Sequence, residues 1–254
     1  MRNDRVKLVV GCLGNVGTAI KYIFKASGID FRNGFYTLYH TDGFETTQKE
    51  LVDIRDCLYG LVEKNARPVI MHICLPFSEN YFSIVGDYIN LFSPMLVLNH
   101  TSCPVGTTRK LFELTETPIV HCPINGRHPN MVDDIRKYKM FVGALDEETG
   151  QRACEYIEWH GLDTYLCSSP EITELSKLAS TELIRVNIEF YQRTKKRIKD
   201  LGLNWAEFIA FMQELMDKGN VYKRVYQRAG KIDTPFSKKH CIMSNKELFD
   251  KEVK

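Results

Sequence analysis

The stretch "VVGCLGNVG" places Gly11, Gly14 and Gly17 three residues apart, directly after an apolar, β-branched run. Glycines at such places let the backbone turn tightly and approach a pyrophosphate, whose charge suits the amino terminus of the helix that follows. Asn15 and Val16 fall in that first helical turn. The spacing is GxxGxxG and not GxGxxG, because Cys12 stands where the first glycine of the usual pattern would be. A tight strand-to-helix turn that binds nothing is the alternative reading of the same residues. Toward the other end of the chain, "KKHCIMSN" holds Cys241. A cysteine is a nucleophile as its thiolate, and Lys238, Lys239 or His240 could supply the positive charge that favours the thiolate. His121, Cys122 and His128 lack a matching fourth ligand, so no metal is expected from them.

The elements that must position these residues are legible in outline. Residues 6–10 read as a strand, and the residues after Gly17 carry helical apolar spacing at Ile20, Ile23 and Phe24. A second strand is expected at "FYTLY", 35–39, closed by "HTDG". An acidic side chain near the end of that strand would hold the ribose hydroxyls of a dinucleotide, which points to Asp42; Asp42 also suits a plain turn with Gly43. Further strands are expected at 67–76, 94–102, 117–124, 139–145 and 163–168, most of them continuous apolar runs of the kind found in parallel sheets covered on both faces. After Ser168 the strand pattern stops. Ser169 and Pro170 begin one helix that runs on to "DLGL" at 200–203, long for a globular protein, and a second helix follows at 204–219.

The fold class is therefore α/β: a Rossmann-like doubly wound parallel sheet over residues 1–168, then a small all-helical domain with one long helix over 169–254. A chain of 254 residues, 44% of them hydrophobic and 26% charged, has enough apolar surface for a sizeable core. A net charge of +2 excludes a nucleic-acid reading by electrostatics alone. No apolar run is long enough for a membrane span, and the start has no secretory h-region. The eight cysteines contain no CxxC pair and read as reduced thiols, which fits a cytoplasmic protein.

Three stretches in order carry a resemblance. "NHTSCPVGTTRKL" (99–111), "ITELSKLASTELIRVNIEF" (172–190) and "KKHCIMSN" (238–245) resemble motifs of the UDP-glucose/GDP-mannose dehydrogenases, nucleotide-sugar enzymes of the 6-phosphogluconate-dehydrogenase-like superfamily. The glycine turn and "HICLP" (72–76) are similar to the same pattern. The resemblance implies an NAD(P)-dependent oxidoreductase, with NAD the first choice and NADP open, acting on an alcohol of a sugar-like or hydroxy-acid small molecule. It implies Lys177 as the cation that stabilises a developing alkoxide, Cys241 as the nucleophile of a second oxidation, and Ser102 as a polar positioning group. It implies backbone contacts to the cofactor at Leu75 and Pro76, and a homodimer paired through the long helix.

The departures from that family are equally specific. Where it carries a glutamate, this chain reads Ile124–Asn125–Gly126, and Asn125 and Gly126 remain only as substrate contacts. Thr181 replaces an asparagine one turn after the lysine, Lys238 and Lys239 replace two glycines, and Asn245 replaces an aspartate. The family's third domain has no counterpart before Lys254. "HCPING" (121–126) is also similar to a turn of the single-step β-hydroxyacid dehydrogenases, which use the lysine and need no cysteine. The alternative expectation is a dinucleotide-binding sensor or scaffold with reduced catalysis.

Overall fold

The computed structural model describes residues 6–60, 70–127 and 129–219. Strand β1 (Lys7–Val10) alternates its side chains between two cores: Val9 packs on one face of the sheet, Leu8 and Val10 on the other. Helix α1 (Asn15–Phe24) follows the glycine turn, and its chain is reversed by Lys25 in the left-handed conformation. Next come β2 (Ser27–Arg32), β3 (Phe35–Tyr39), β4 (Glu45–Gln48) and α2 (Leu51–Gly60). The chain continues through β5 (Ile70–Ile73), α3 (Tyr81–Phe92), β6 (Leu96–Asn99), α4 (Thr107–Thr115) and β7 (Ile119–His121). Helix α5 (Met131–Lys137), β8 (Met140–Ala144), α6 (Glu147–Trp159) and β9 (Thr164–Cys167) complete the sheet region.

The strands form one nine-stranded sheet in the order β4-β3-β2-β1-β5-β6-β7-β8-β9. Strands β2, β1, β5, β6 and β7 are parallel neighbours. Helices α1, α5 and α6 cover one face, and α2, α3 and α4 the other, so the sheet is doubly wound as expected. Strand order reverses at β1, with β2 on one side and β5 on the other. Ligands of such sheets bind outside the carboxyl ends of the strands at that reversal.

One expectation needs correction. The second strand of the fold is β2, not residues 35–39. Residues 35–39 are the third strand and run antiparallel to β2, with Arg32 paired to Phe35 across a two-residue turn. Asn33 and Gly34 both have positive φ, 53° and 82°. That is the backbone a two-residue hairpin requires, and Asn-Gly is the pair that adopts it most readily. Strand β2 escaped notice because Gly28, Asp30 and Arg32 break its apolar run. Strand β4, "ETTQ", is a polar edge strand with no hydrophobic signal at all.

The long helix α7 (Pro170–Asp200) and α8 (Trp205–Gly219) match expectation closely. The compact unit built on the sheet extends to Ser180, so the first turns of α7 belong to it. Gly143 on β8 makes that possible. A Cβ there would lie 2.5 Å from Thr173 Oγ1 and 2.6 Å from the Pro170 Cα, so only glycine lets the helix start lie directly on the strand. In the second unit, α7 ends where Leu203 N–H reaches back to the Ile198 carbonyl and Gly202 (φ 67°) reverses the chain. Asn204 Oδ1 accepts from Ala206 N–H to cap α8, and Trp205 and Phe208 pack 5.2 Å apart.

A buried polar chain crosses the middle of the sheet. The Cys122 carbonyl can only accept, so the 2.6 Å contact makes His100 Nδ1 a donor. With neutral rings, His72 Nδ1 then donates to His100 Nε2, and the Tyr156 hydroxyl donates to His72 Nε2, both at 2.9 Å. Burial lowers His100 to about 4 and holds His72 well below the usual histidine range. His121, also buried, is lowered to about 4, with the charge of Lys177 adding to the effect. Since the unfolded chain would bind these protons near pH 6.5, it holds more protons than the folded chain between about pH 6.5 and 4. Stability is therefore full above pH 6.5 and falls as the pH drops through that window. Urea unfolding should show lower stability at pH 5.5 than at pH 7.5, by on the order of 3 kcal/mol from His100 and His121 together at about 1.4 kcal/mol per unit below 6.5, with His72 acting in the same direction. Equal stability at the two values would contradict neutral burial.

Candidate functional site

The glycine turn is built by contacts that exclude a side chain at two places. Gly11 has φ 81°, and a Cβ on it would meet the Cys74 carbonyl oxygen at 2.8 Å. A Cβ on Gly17 would lie 2.0 Å from the Gly11 carbonyl oxygen, so the helix sits directly on its own turn. Gly14 is different: nothing lies closer than 3.7 Å to its added Cβ, and it forms the start of α1 with no side-chain cap. The first-turn backbone of Asn15, Val16 and Gly17 thus presents an uncapped helix start, which attracts an anion. Cys12, in the place of the usual glycine, turns inward and is 2% exposed. Gly28 on β2 makes the room, since a Cβ there would come within 2.4 Å of Cys12 Cβ. Burial, then the charge of Asp30, raises the Cys12 thiol to about 12, so it is no nucleophile.

Beside the turn lies a cavity of about 330 Å³ whose wall includes Gly11, Asp30, Phe31, Tyr36, Leu75 and Pro76. Asp30 is the acidic residue toward the end of β2. Its Oδ2 accepts from Leu13 N–H and its Oδ1 from Phe31 N–H, each at 3.0 Å, which fixes the carboxylate against the glycine turn. Asp42, the acidic residue expected at the ribose, lies elsewhere. Asp42 lies in the turn between β3 and β4, where it accepts from Phe44 N–H, and it is not part of the cavity wall. Asp30, one strand earlier, is the acidic side chain in that wall.

The carboxyl ends of β6 and β7 form the other half of the site. Ser102 is exposed on the loop after β6. Its neighbour Thr101 is buried, and Thr101 Oγ1 donates to the Leu75 carbonyl at 2.8 Å. His121 Nε2 lies 3.0 Å from the Thr101 carbonyl, and His121 Nδ1 lies 2.8 Å from Thr173 Oγ1 on α7. One turn on, Lys177 Nζ donates to the Ile124 carbonyl at 2.7 Å. Lys177 is half-buried, and desolvation lowers its pKa. Asn125 and Gly126 follow Ile124 directly, with Gly126 closely covered by Met131. Thr181 lies on the next turn of α7 and is exposed.

Sequence reasoning missed the residue that holds this half together. Glu174, fully buried, accepts from Gly106 N–H at 2.6 Å and Thr108 N–H at 2.8 Å. Helix α4 has no cap of its own, and Gly106 there has φ 91°. Glu174 caps it from another helix and suits the positive helix end. Nearby, Arg109 Nε donates to Glu171 Oε1 at 2.7 Å. The signal for Glu174 was its place three residues before Lys177 inside "ITELSKL". Cys241, Lys238, Lys239, His240, Asn245 and His128 lie outside the described residues. Among the described residues, no group of three His, Cys, Asp or Glu side chains could hold a metal ion, and no helix is long and apolar enough to cross a membrane.

No family profile and no curated protein matches the chain. Solved structures do match its fold. The GDP-mannose dehydrogenase of Pseudomonas aeruginosa aligns at a TM-score of 0.57 and 14% identity, covering 89% of this chain and 65% of that one. A UDP-glucose dehydrogenase of Pyrobaculum islandicum aligns at 0.59 and 16%, covering 86% and 58%. A reductive aminase of Aspergillus terreus, solved with NADPH, aligns at 0.55 and 14%, covering 89% and 77%. The chain shares the fold of these proteins and spans about three fifths of the length of the two sugar-nucleotide dehydrogenases.

Removing the Glu174 carboxylate leaves the buried Thr108 and the part-buried Gly106 backbone donors unpaired. Glu174→Ala should cost about 3 kcal/mol in urea unfolding, and Glu174→Gln clearly less, because the amide oxygen still accepts. A loss below about 0.5 kcal/mol for Glu174→Ala would contradict the capping role.

Proposed function

We propose that the chain binds a nicotinamide dinucleotide, NAD in preference to NADP, and oxidises an alcohol of a sugar-like or hydroxy-acid substrate by hydride transfer. The observation that carries the reading is the cavity beside the glycine turn, with Gly11 of that turn and the Asp30 carboxylate both in its wall. Gly11, Gly14, Asn15, Val16 and Gly17 would receive the pyrophosphate, and Leu75 and Pro76 would border the path of the dinucleotide. The cofactor's contribution is to accept the hydride. Asp30 would accept from the ribose hydroxyls and repel a ribose phosphate, which favours NAD.

Lys177 supplies the polar chemistry in this reading. Its desolvated ammonium would polarise the alcohol oxygen and stabilise the alkoxide, the hydroxyl proton passing to water and the hydride to the cofactor. The Ile124 carbonyl orients it, and Ser102 would position a polar group of the substrate. Cys241 is kept as the candidate nucleophile for a second oxidation. The second reading, a nucleotide sensor with reduced catalysis, draws on Ile124 and Asn125, which offer no ionisable side chain beside Lys177. It differs by showing nucleotide binding with no turnover on any alcohol.

Titration followed by nicotinamide fluorescence tests the binding claim. NADH should bind in the micromolar range and NADPH about tenfold more weakly, a difference of about 1.4 kcal/mol, with Asp30→Ser narrowing the gap. Failure of both nucleotides to bind would end the reading.

Helix α7 is proposed to pair two copies of the chain. Leu183, Ile184, Val186 and Ile188 are each about half exposed along it, an apolar surface that a partner would cover. Light scattering at micromolar concentration should give the dimer mass, and a monomer mass would contradict the pairing.

A further inference from the structure

At the amino end of the sheet, away from the glycine turn, three basic side chains meet. Lys7 begins β1, Lys25 closes α1 and His160 closes α6. The Tyr156 carbonyl can only accept, so the 2.8 Å contact makes His160 Nδ1 a donor. With a neutral ring, the lone pair of Nε2 then faces Lys7 Nζ, 3.3 Å away. Packing fixes the ring in that direction: Phe24 lies 4.7 Å from it, and Tyr156 and Trp159 each lie 4.8 Å from it. Burial lowers the His160 pKa; the Tyr156 carbonyl opposes this, and the charges of Lys7 and Lys25 add to it, so the ring is neutral at pH 7. Lys7 is half-buried, and burial, then the charge of Lys25, lowers its pKa. The Trp159 ring centroid lies 5.6 Å from Nζ, an attraction that favours the ammonium but is weak at a half-exposed ring.

A lysine attacks only as its free amine, and a neighbouring base that takes the second proton completes the nucleophile. We propose that Lys7 and His160 form a reactive amine and base pair that takes an acyl group from an acyl phosphate, with Lys25 attracting the phosphate. In the free amine one Nζ–H still points to His160 Nε2, which leaves the lone pair for attack. That pair forms the bond from Nζ to the acyl carbon, and the Nζ proton passes to Nε2. The bond between the acyl carbon and the phosphate oxygen breaks, and its electrons leave on the phosphate. His160 then returns its proton to the released phosphate. The products are an amide on Lys7 and inorganic phosphate, with no change of oxidation state. An acyl phosphate fits the place because Lys25 is exposed and its charge acts on both Lys7 and His160. The pair shares no residue with the nucleotide cavity, so it stands or falls apart from the dinucleotide reading.

The test treats the full chain with acetyl phosphate at pH 7.5 and follows acetylation of each lysine by peptide mass spectrometry. Exposed Lys139 is the reference within the same chain. Lys7 should be acetylated about tenfold faster than Lys139, and His160→Gln should remove most of that advantage while the Lys139 rate stays the same. Lys25→Gln, at an exposed position that leaves the fold intact, should also slow Lys7. A Lys7 rate no greater than that of Lys139 in the wild-type chain would overturn the proposal. A fast Lys7 that is unchanged by His160→Gln would overturn it too, because the histidine would then not be the base. Should His160→Gln fail to fold, the Lys25→Gln chain decides: a slower Lys7 supports the pair, and an unchanged rate overturns it.

Discussion

A single buried carboxylate, Glu174, fixes the geometry on which the site depends. It ties the first turns of α7 to the start of α4 through Gly106 and Thr108, and thereby to the loop that carries Ser102. The same turns of helix set Thr173 against His121 and Lys177 against the Ile124 carbonyl. From His121 the hydrogen bonds continue through the Thr101 carbonyl, and Thr101 Oγ1 reaches the Leu75 carbonyl on the wall of the nucleotide cavity. The lysine and the cavity are thus registered to each other by backbone groups and buried side chains within one compact unit. Gly143 is the steric condition for the arrangement, since any larger residue would push α7 off the sheet.

The molecule holds its elements with carboxylates aimed at backbone amides more than with ion pairs. Glu174 caps α4, Asp146 Oδ1 accepts from Thr149 N–H to cap α6, and Asp30 accepts from Leu13 N–H in the glycine turn. Such charge-assisted bonds are stronger than neutral ones, and buried donors are costly to leave unpaired. The pairs of Arg185 with Glu182 and Glu189 on α7 are exposed, and exposed pairs of this kind add little. Asp30 does two things at once in this account. It shapes the turn, and it leaves a fixed negative charge at the cavity where a ribose would lie.

Much of this was legible in the sequence, for identifiable reasons. Strands β1, β5, β6, β7 and β8 announce themselves because parallel strands covered on both faces are continuous apolar runs. The glycine turn was visible because Gly11 and Gly17 occupy places where no side chain fits. Strand β2 was not visible, because its outer residues face solvent and its Gly28 exists to admit Cys12, a tertiary reason that no local pattern encodes. Missing β2 hid Asp30 and left Asp42 as the acidic candidate. The Asn33–Gly34 pair held the correction, since it marks a hairpin and makes the strands on either side of it partners. Glu174 was hidden for another reason: a glutamate on an amphipathic helix is ordinarily solvated, and only the approach of α4 turns it into a buried cap.

The central claim is that the glycine turn and the cavity beside it form a working nucleotide site. Hydrogen exchange of the full chain with and without saturating NADH tests it most directly, because it reports both binding and place. The account predicts slower exchange at the amides of residues 11–17, 30–31, 75 and 77–78, with α8 unchanged. Exchange that is identical in the two states, or protection confined to other regions, would contradict it.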